Sequence, residues 1–290
     1  MKISLLVGLF VAGHSVLMAS VPLKAHELLS PKASVVRPGD RSTDRANRLS
    51  LSPKPPQGDR VLIETKTVTF VRGKKGQEYP DYKEAIVKYP QVTGLTNPTV
   101  LRNVQSAISL KSVFGQSLAE LRAEFLASWW LSEIDYTVNY NQNSLLDLTF
   151  TMSGSGAYPS SFNKHRLVNL KTGKVVKAAD VFKRESLSTI ATMVNKAMQA
   201  EVKQAIANGD KEGADLREQL KNQRFQTRHL DSFTISNKGI TFLYDFGFPH
   251  VILALQPSGK YFLSYNQLKA HIKPDGALKV FIPNTTAGKR

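Results

Sequence analysis

The sequence predicts an α+β fold, antiparallel sheets packed against two main helices, and three observations carry that prediction. Several runs alternate apolar and polar residues with the period of two that a half-buried strand requires. The clearest sets Leu146, Leu148, Phe150 and Met152 against Asp147, Thr149 and Thr151. Two longer stretches, near residues 98–128 and 187–206, instead repeat apolar residues every three to four positions, as an amphipathic helix does. Turns rich in Gly, Asn and Pro separate the alternating runs.

In chain order, residues 1–25 read as an export signal: Lys2 supplies the charge, residues 3–11 the apolar core, and Ala19-Ser20 or Ala25 the small residues of a cleavage point. The alternative is an uncleaved membrane anchor, because the apolar run up to Val21 nearly reaches spanning length. Residues 26–60 have five prolines, scattered charges and no apolar period, and read as a flexible linker. An N-terminal α+β domain is expected over 61–150, a C-terminal one over 151–272, and a polar tail over 273–290.

Within the first domain, residues 61–71 and 82–89 alternate as strands around the basic turn 73–76. Asn97-Pro98 is a helix start, an N-cap side chain followed by a proline at the first helical position. The helix it opens is expected to reach residue 128, with Gly115 as a point of kinking or division. Trp129 and Trp130 follow, as core aromatics or as a carbohydrate-stacking platform. Residues 136–140 then form a strand.

In the second domain, Lys171-Thr172-Gly173-Lys174 is a turn, residues 187–206 are the second main helix, and 214–224 are a short charged helix. Phe233, Ile235, Ile240, Phe242, Tyr244 and Phe246 mark a hairpin turning at Asn237-Lys238-Gly239. A further hairpin is expected between residues 251–255 and 260–263 through Pro257-Ser258-Gly259, with a short last helix over 265–271.

The 290-residue chain carries a formal net charge of +16 and no cysteine, so an exported product relies on a conventional core in place of disulfides or thiolate metal sites. Outside the cytosol the polyanions available to a basic protein are envelope polymers and acidic lipid headgroups, not nucleic acid. Peripheral membrane contact is therefore compatible with the charge. No Gly-x-Ser-x-Gly elbow, phosphate-cradling loop, dinucleotide fingerprint or helical histidine pair occurs, and no cofactor is expected. Glu133 and Asp135 read as wet residues at a strand start. His165, His229 and His250 read as isolated side chains, with a metal site assembled through space as the alternative.

The stretch at 152–170 divides the two halves. Gly154 and Gly156 are expected to let residues 153–161 fold as a tight loop presenting Tyr158 beside Pro159. Such a loop is either a plain connection or a recognition element. The binding residues expected on the second reading are Gly154, Ser155, Gly156, Tyr158, Pro159 and Phe162.

Three segments resemble, in this order, a known extracytoplasmic module. They are Tyr89-Pro90-Gln91 through the Asn97-Pro98 helix, then Gly154-Ser155-Gly156-Ala157-Tyr158 with Asn169 to Lys174 and Asp180-Val181-Phe182, then Gly239-Ile240-Thr241-Phe242 through Tyr265-Asn266-Gln267-Leu268. The module is similar to the paired domains of unknown function in lysozyme-sensing anti-sigma factors and in the N-terminal part of a peptidoglycan deacetylase. Over about residues 60–272 the resemblance implies an α+β fold and a binding role, recognition of lysozyme in the anti-sigma factors. Charge, signal and resemblance together predict an exported, non-catalytic envelope binding module for a cell-wall polymer or a protein such as lysozyme. The alternative is a cell-wall glycan hydrolase or deacetylase whose site assembles His165, Asp245 and His250.

Overall fold

A computed structural model of the chain describes residues 59–73, 83–127, 130–155, 158–208, 213–248 and 250–282. The signal, almost all of the expected linker, most of the 73–76 turn, Trp129, Gly156 and the last eight residues of the expected tail lie outside them.

The expected first strand is β1 (Leu62–Val71), which pairs antiparallel along its whole length with β2 (Glu84–Thr93). At Asn97 the side-chain oxygen accepts the N–H groups of Thr99 and Val100 at 3.0 and 3.2 Å, with Pro98 opening the helix, as the N-cap reading requires. The single long helix expected from here is instead three: α1 (Pro98–Ala107), α2 (Leu110–Phe114) and α3 (Leu118–Ala127). Gly115 ends α2 at φ +81°, a left-handed cap that favours glycine. The earlier break at Ser109 was not foreseen: its hydroxyl accepts the N–H of Ser112 and restarts the helix as a new N-cap.

The helices carry the chain to β3 (Leu131–Gln142), which runs parallel to β2 over only Ile86 and Val87. The sheet is therefore not wholly antiparallel, because a helical crossover returns the chain in its original direction. β4 (Leu145–Ser155) and β5 (Pro159–Asn169) follow as antiparallel hairpins, completing a five-stranded sheet in the order β1-β2-β3-β4-β5. The expected boundary between residues 150 and 151 falls inside β4.

Leu146, Leu148, Phe150 and Met152 of β4 are buried on the helix-covered face, against Val104, Val113, Leu121 and Phe125 of α1 to α3. Each fully buried side chain of this size contributes about 1.5–3 kcal/mol of transfer free energy. At its start β4 is buried on both faces, since Leu145 joins a second core with Tyr140 and Leu167. That core is filled by α5 (Leu187–Asn208), the second main helix, and by a three-stranded antiparallel sheet of β6 (Phe233–Ile235), β7 (Gly239–Leu243) and β8 (Lys260–Ser264). The remaining α-helices among the described residues are short: α4 (Ala178–Val181), α6 (Gly213–Leu220) and α7 (Tyr265–Leu268).

The hairpin expected between 251–255 and 260–263 does not form. His250–Leu255 is a 3-10 helix, and β8 pairs with β7. A five-residue apolar run has no periodicity that distinguishes a strand from a helical turn, and Ile252 and Leu255 reach the second core from the turn. Among the described residues no helix is long and apolar enough to cross a membrane.

Candidate functional site

The expected recognition loop is mostly strand. β4 and β5 stay in unbroken antiparallel register from Leu145 opposite Asn169 to Ser155 opposite Pro159, so Gly154 and Ser155 lie in β4 and Pro159 and Phe162 in β5. Tyr158 stands at the hairpin tip, 65% exposed. Gly154 is required for close approach, not for turning: a Cβ there would sit 2.0 Å from the carbonyl oxygen of Trp130 and 2.9 Å from its ring. The next residue secures the same contact, Ser155 donating its backbone N–H to that carbonyl at 2.7 Å.

This approach seats Trp130 on the hairpin. Its ring stacks on Phe162 with centroids 5.9 Å apart and an interplanar angle of 18°, and its Nε1 donates to Ser160 Oγ at 3.3 Å. Phe114 also packs against Phe162 edge-to-face, with centroids 6.0 Å apart. Phe162 nevertheless remains 41% exposed, so the Trp130–Phe162 stack forms an aromatic platform near the end of the sheet, with Tyr158 exposed in the same hairpin. The sequence singled out each of these residues but not their association. Trp130 enters from the helix-to-strand junction, and only the β4–β5 register brings Phe162 beneath it.

Beside the platform runs a cleft of about 670 Å³. One wall is β5 from Ser160 to His165; the other holds Tyr244, Asp245, Phe248 and Lys260. His165 Nδ1 lies 2.9 Å from Thr149 Oγ1. Burial, then the nearby charges of Lys260 and Arg166, pull its pKa down to about 4, so the ring is neutral at pH 7. Of the residues in the enzymatic alternative, His165 and Asp245 do line one cleft, while the His250 side chain is outside the described residues.

His229 packs elsewhere, its ring 5.4 Å from Phe225 and 5.0 Å from Tyr244, with Nδ1 accepting the Gln226 N–H. Among the described residues no group of three or more His, Cys, Asp or Glu could hold a metal ion. Glu133 and Asp135 share one partner, Lys88 Nζ, at 3.4 and 2.7 Å, and the Asp135 bond raises the pKa of that ammonium. They form a surface ion cluster.

No family model matches the chain, and no curated protein matches it. Among solved structures, a DUF3298 family member from Bacteroides fragilis aligns with a TM-score of 0.54 and 13% identity, over 74% of this chain and 95% of that one. A DUF3298 family protein from Pseudomonas aeruginosa aligns with a TM-score of 0.53 and 16% identity, over 78% of this chain and 99% of that one. At such identities the likeness is one of fold, and the fold of this chain is similar to that of a domain of unknown function.

Proposed function

We propose that the protein is an exported, non-catalytic binding module of the cell envelope, held there after cleavage of its signal or through an uncleaved anchor. The platform is its docking surface. The observation that carries this reading is the stack of Trp130 on a Phe162 that remains 41% exposed, next to Lys164. Exposed flat rings take the apolar faces of sugar rings, and a strongly basic chain attracts anionic envelope polymers over long range. Among the ligands implied by the resemblance to lysozyme-sensing domains, lysozyme is the less favoured, because two basic proteins repel on approach.

The test is retention of the protein on purified cell wall in rising salt. Retention at low ionic strength that declines with salt and is weakened by Phe162→Ala supports the reading; no retention even at low salt overturns it. The enzymatic alternative gains support from His165 and Asp245 sharing a cleft. Turnover of cell-wall glycan that disappears in His165→Ala would establish it in place of the binding role.

A further inference from the structure

We infer that the cleft beside β5 is a second binding site, one that takes an extended acidic segment of a partner protein as an added strand. Six consecutive residues, Ser160 to His165, line it. Neighbouring side chains of a strand point to opposite faces, so a cleft touched by all six runs along the strand's edge, not over a face.

The direction of the free backbone groups follows from the far end of the same strand. There Asn169 donates its N–H to Lys174 and Leu167 accepts from the N–H of Val176, both across the edge facing away from β4. The β4–β5 register is unbroken, so the odd-numbered residues keep this outward orientation along β5. Ser161 and Asn163 therefore present N–H and C=O groups to the cleft, and among the described residues no other backbone group bonds them there. Proline commonly blocks strand edges, but Pro159 stands only at the first residue of β5 and leaves Ser161 and Asn163 open. Here the edge faces a walled cleft in which a further strand can lie.

Charge selects the occupant. Lys164 and Lys260 line the cleft and, among the described residues, neither pairs with a carboxylate. Against these two cations the lining holds one acidic residue, Asp245, which accepts the N–H of Gly247, so the cleft keeps a net positive charge. Strand addition gives affinity through the main chain and specificity through alternate side chains, so a segment of about six residues, spanning roughly 20 Å, with Glu or Asp at alternate positions is complementary.

The experiment titrates the full chain with a synthetic octapeptide alternating Glu with Val, and with the same peptide carrying Gln or Lys for Glu. Binding of the Glu peptide at least tenfold tighter than the other two is expected. Asn163→Pro should abolish it while leaving the circular dichroism spectrum unchanged, since a proline at an outward N–H position does not break the β4–β5 ladder. Lys164→Glu with Lys260→Glu should reverse the preference toward the Lys peptide, which a misfolded variant would not do. Equal binding of all three peptides, no binding, or a self-association through β5 that Asn163→Pro dissolves would each overturn the inference. Phe162 and Lys164 border both surfaces, so the platform is read by its own assay, retention of the unaltered chain and of Phe162→Ala on cell wall, and peptide binding that fails while this retention persists overturns the strand site alone.

Discussion

The carboxylate of Asp147 in β4 accepts the backbone N–H of Ile235 in β6 at 2.7 Å, a bond between two sheets that share no ladder. Its Oδ2 also accepts the Thr234 hydroxyl at 2.5 Å and its Oδ1 the Asn139 amide at 3.3 Å. Asp147 is fully buried, and burial pushes its pKa up while these donors oppose the rise. Ile235 lies on the outer edge of the three-stranded sheet, where its N–H has no strand to bond. A single side chain thus satisfies that edge and fixes the second sheet against the first.

Asp147→Ala should therefore destabilise the protein by about 2–4 kcal/mol, because buried donors on Ile235 and Thr234 lose their acceptor. Asp147→Asn keeps one acceptor oxygen and should cost about half as much. Urea unfolding measures both, and a cost below about 0.5 kcal/mol for alanine would show that the two sheets are held by apolar packing alone.

Gly154→Ala places a methyl group against the Trp130 carbonyl, 2.0 Å away, where no flexible side-chain end can yield. A loss of about 1–3 kcal/mol is expected, with a red shift in tryptophan emission as the Trp130 seat opens. An unshifted spectrum at full stability would contradict the close approach described here.

Stability should fall in mild acid through His165. Its folded pKa of about 4 lies below the unfolded value of 6.5, so the unfolded chain binds more protons between them. The contribution is complete above about pH 6.5 and is lost as pH falls toward 4, an effect of roughly 1–2 kcal/mol once solvent screening of a half-buried ring is allowed for. His165→Gln should flatten this limb of a plot of unfolding free energy against pH; an unchanged slope would assign the limb to other groups.

Phe162→Ala removes the half-exposed half of the stack. Retention on cell wall should drop at least fivefold while unfolding free energy changes by less than about 1.5 kcal/mol. A retention loss that merely tracks stability would count against a docking role.

Local signals in the sequence specified much of the frame. The alternation of residues 146–152, the Asn97-Pro98 cap and the three-to-four spacing of residues 187–206 each act over one or two turns or strand repeats, and each element formed where its pattern stands. The misreadings share a cause. Ser109 looks like any helix-surface serine until its hydroxyl caps α2, and residues 251–255 look like a strand until β7 takes β8 as its partner. Gly154 looks like a loop glycine until Trp130 lies across it.

The sequence by itself determined the α+β class, single elements such as the Asn97-capped helix start and the strand over residues 146–152, and a basic, thiol-free character, because these follow from composition and from contacts between near neighbours in the chain. Only the tertiary structure decided that Trp130 and Phe162 stack, that Ser160 to His165 line a cleft, and that Asp147 joins two sheets. The Asp147 bond links residues 88 positions apart, the stack and the cleft likewise join distant segments, and strand register, which no local pattern encodes, sets which side chains meet.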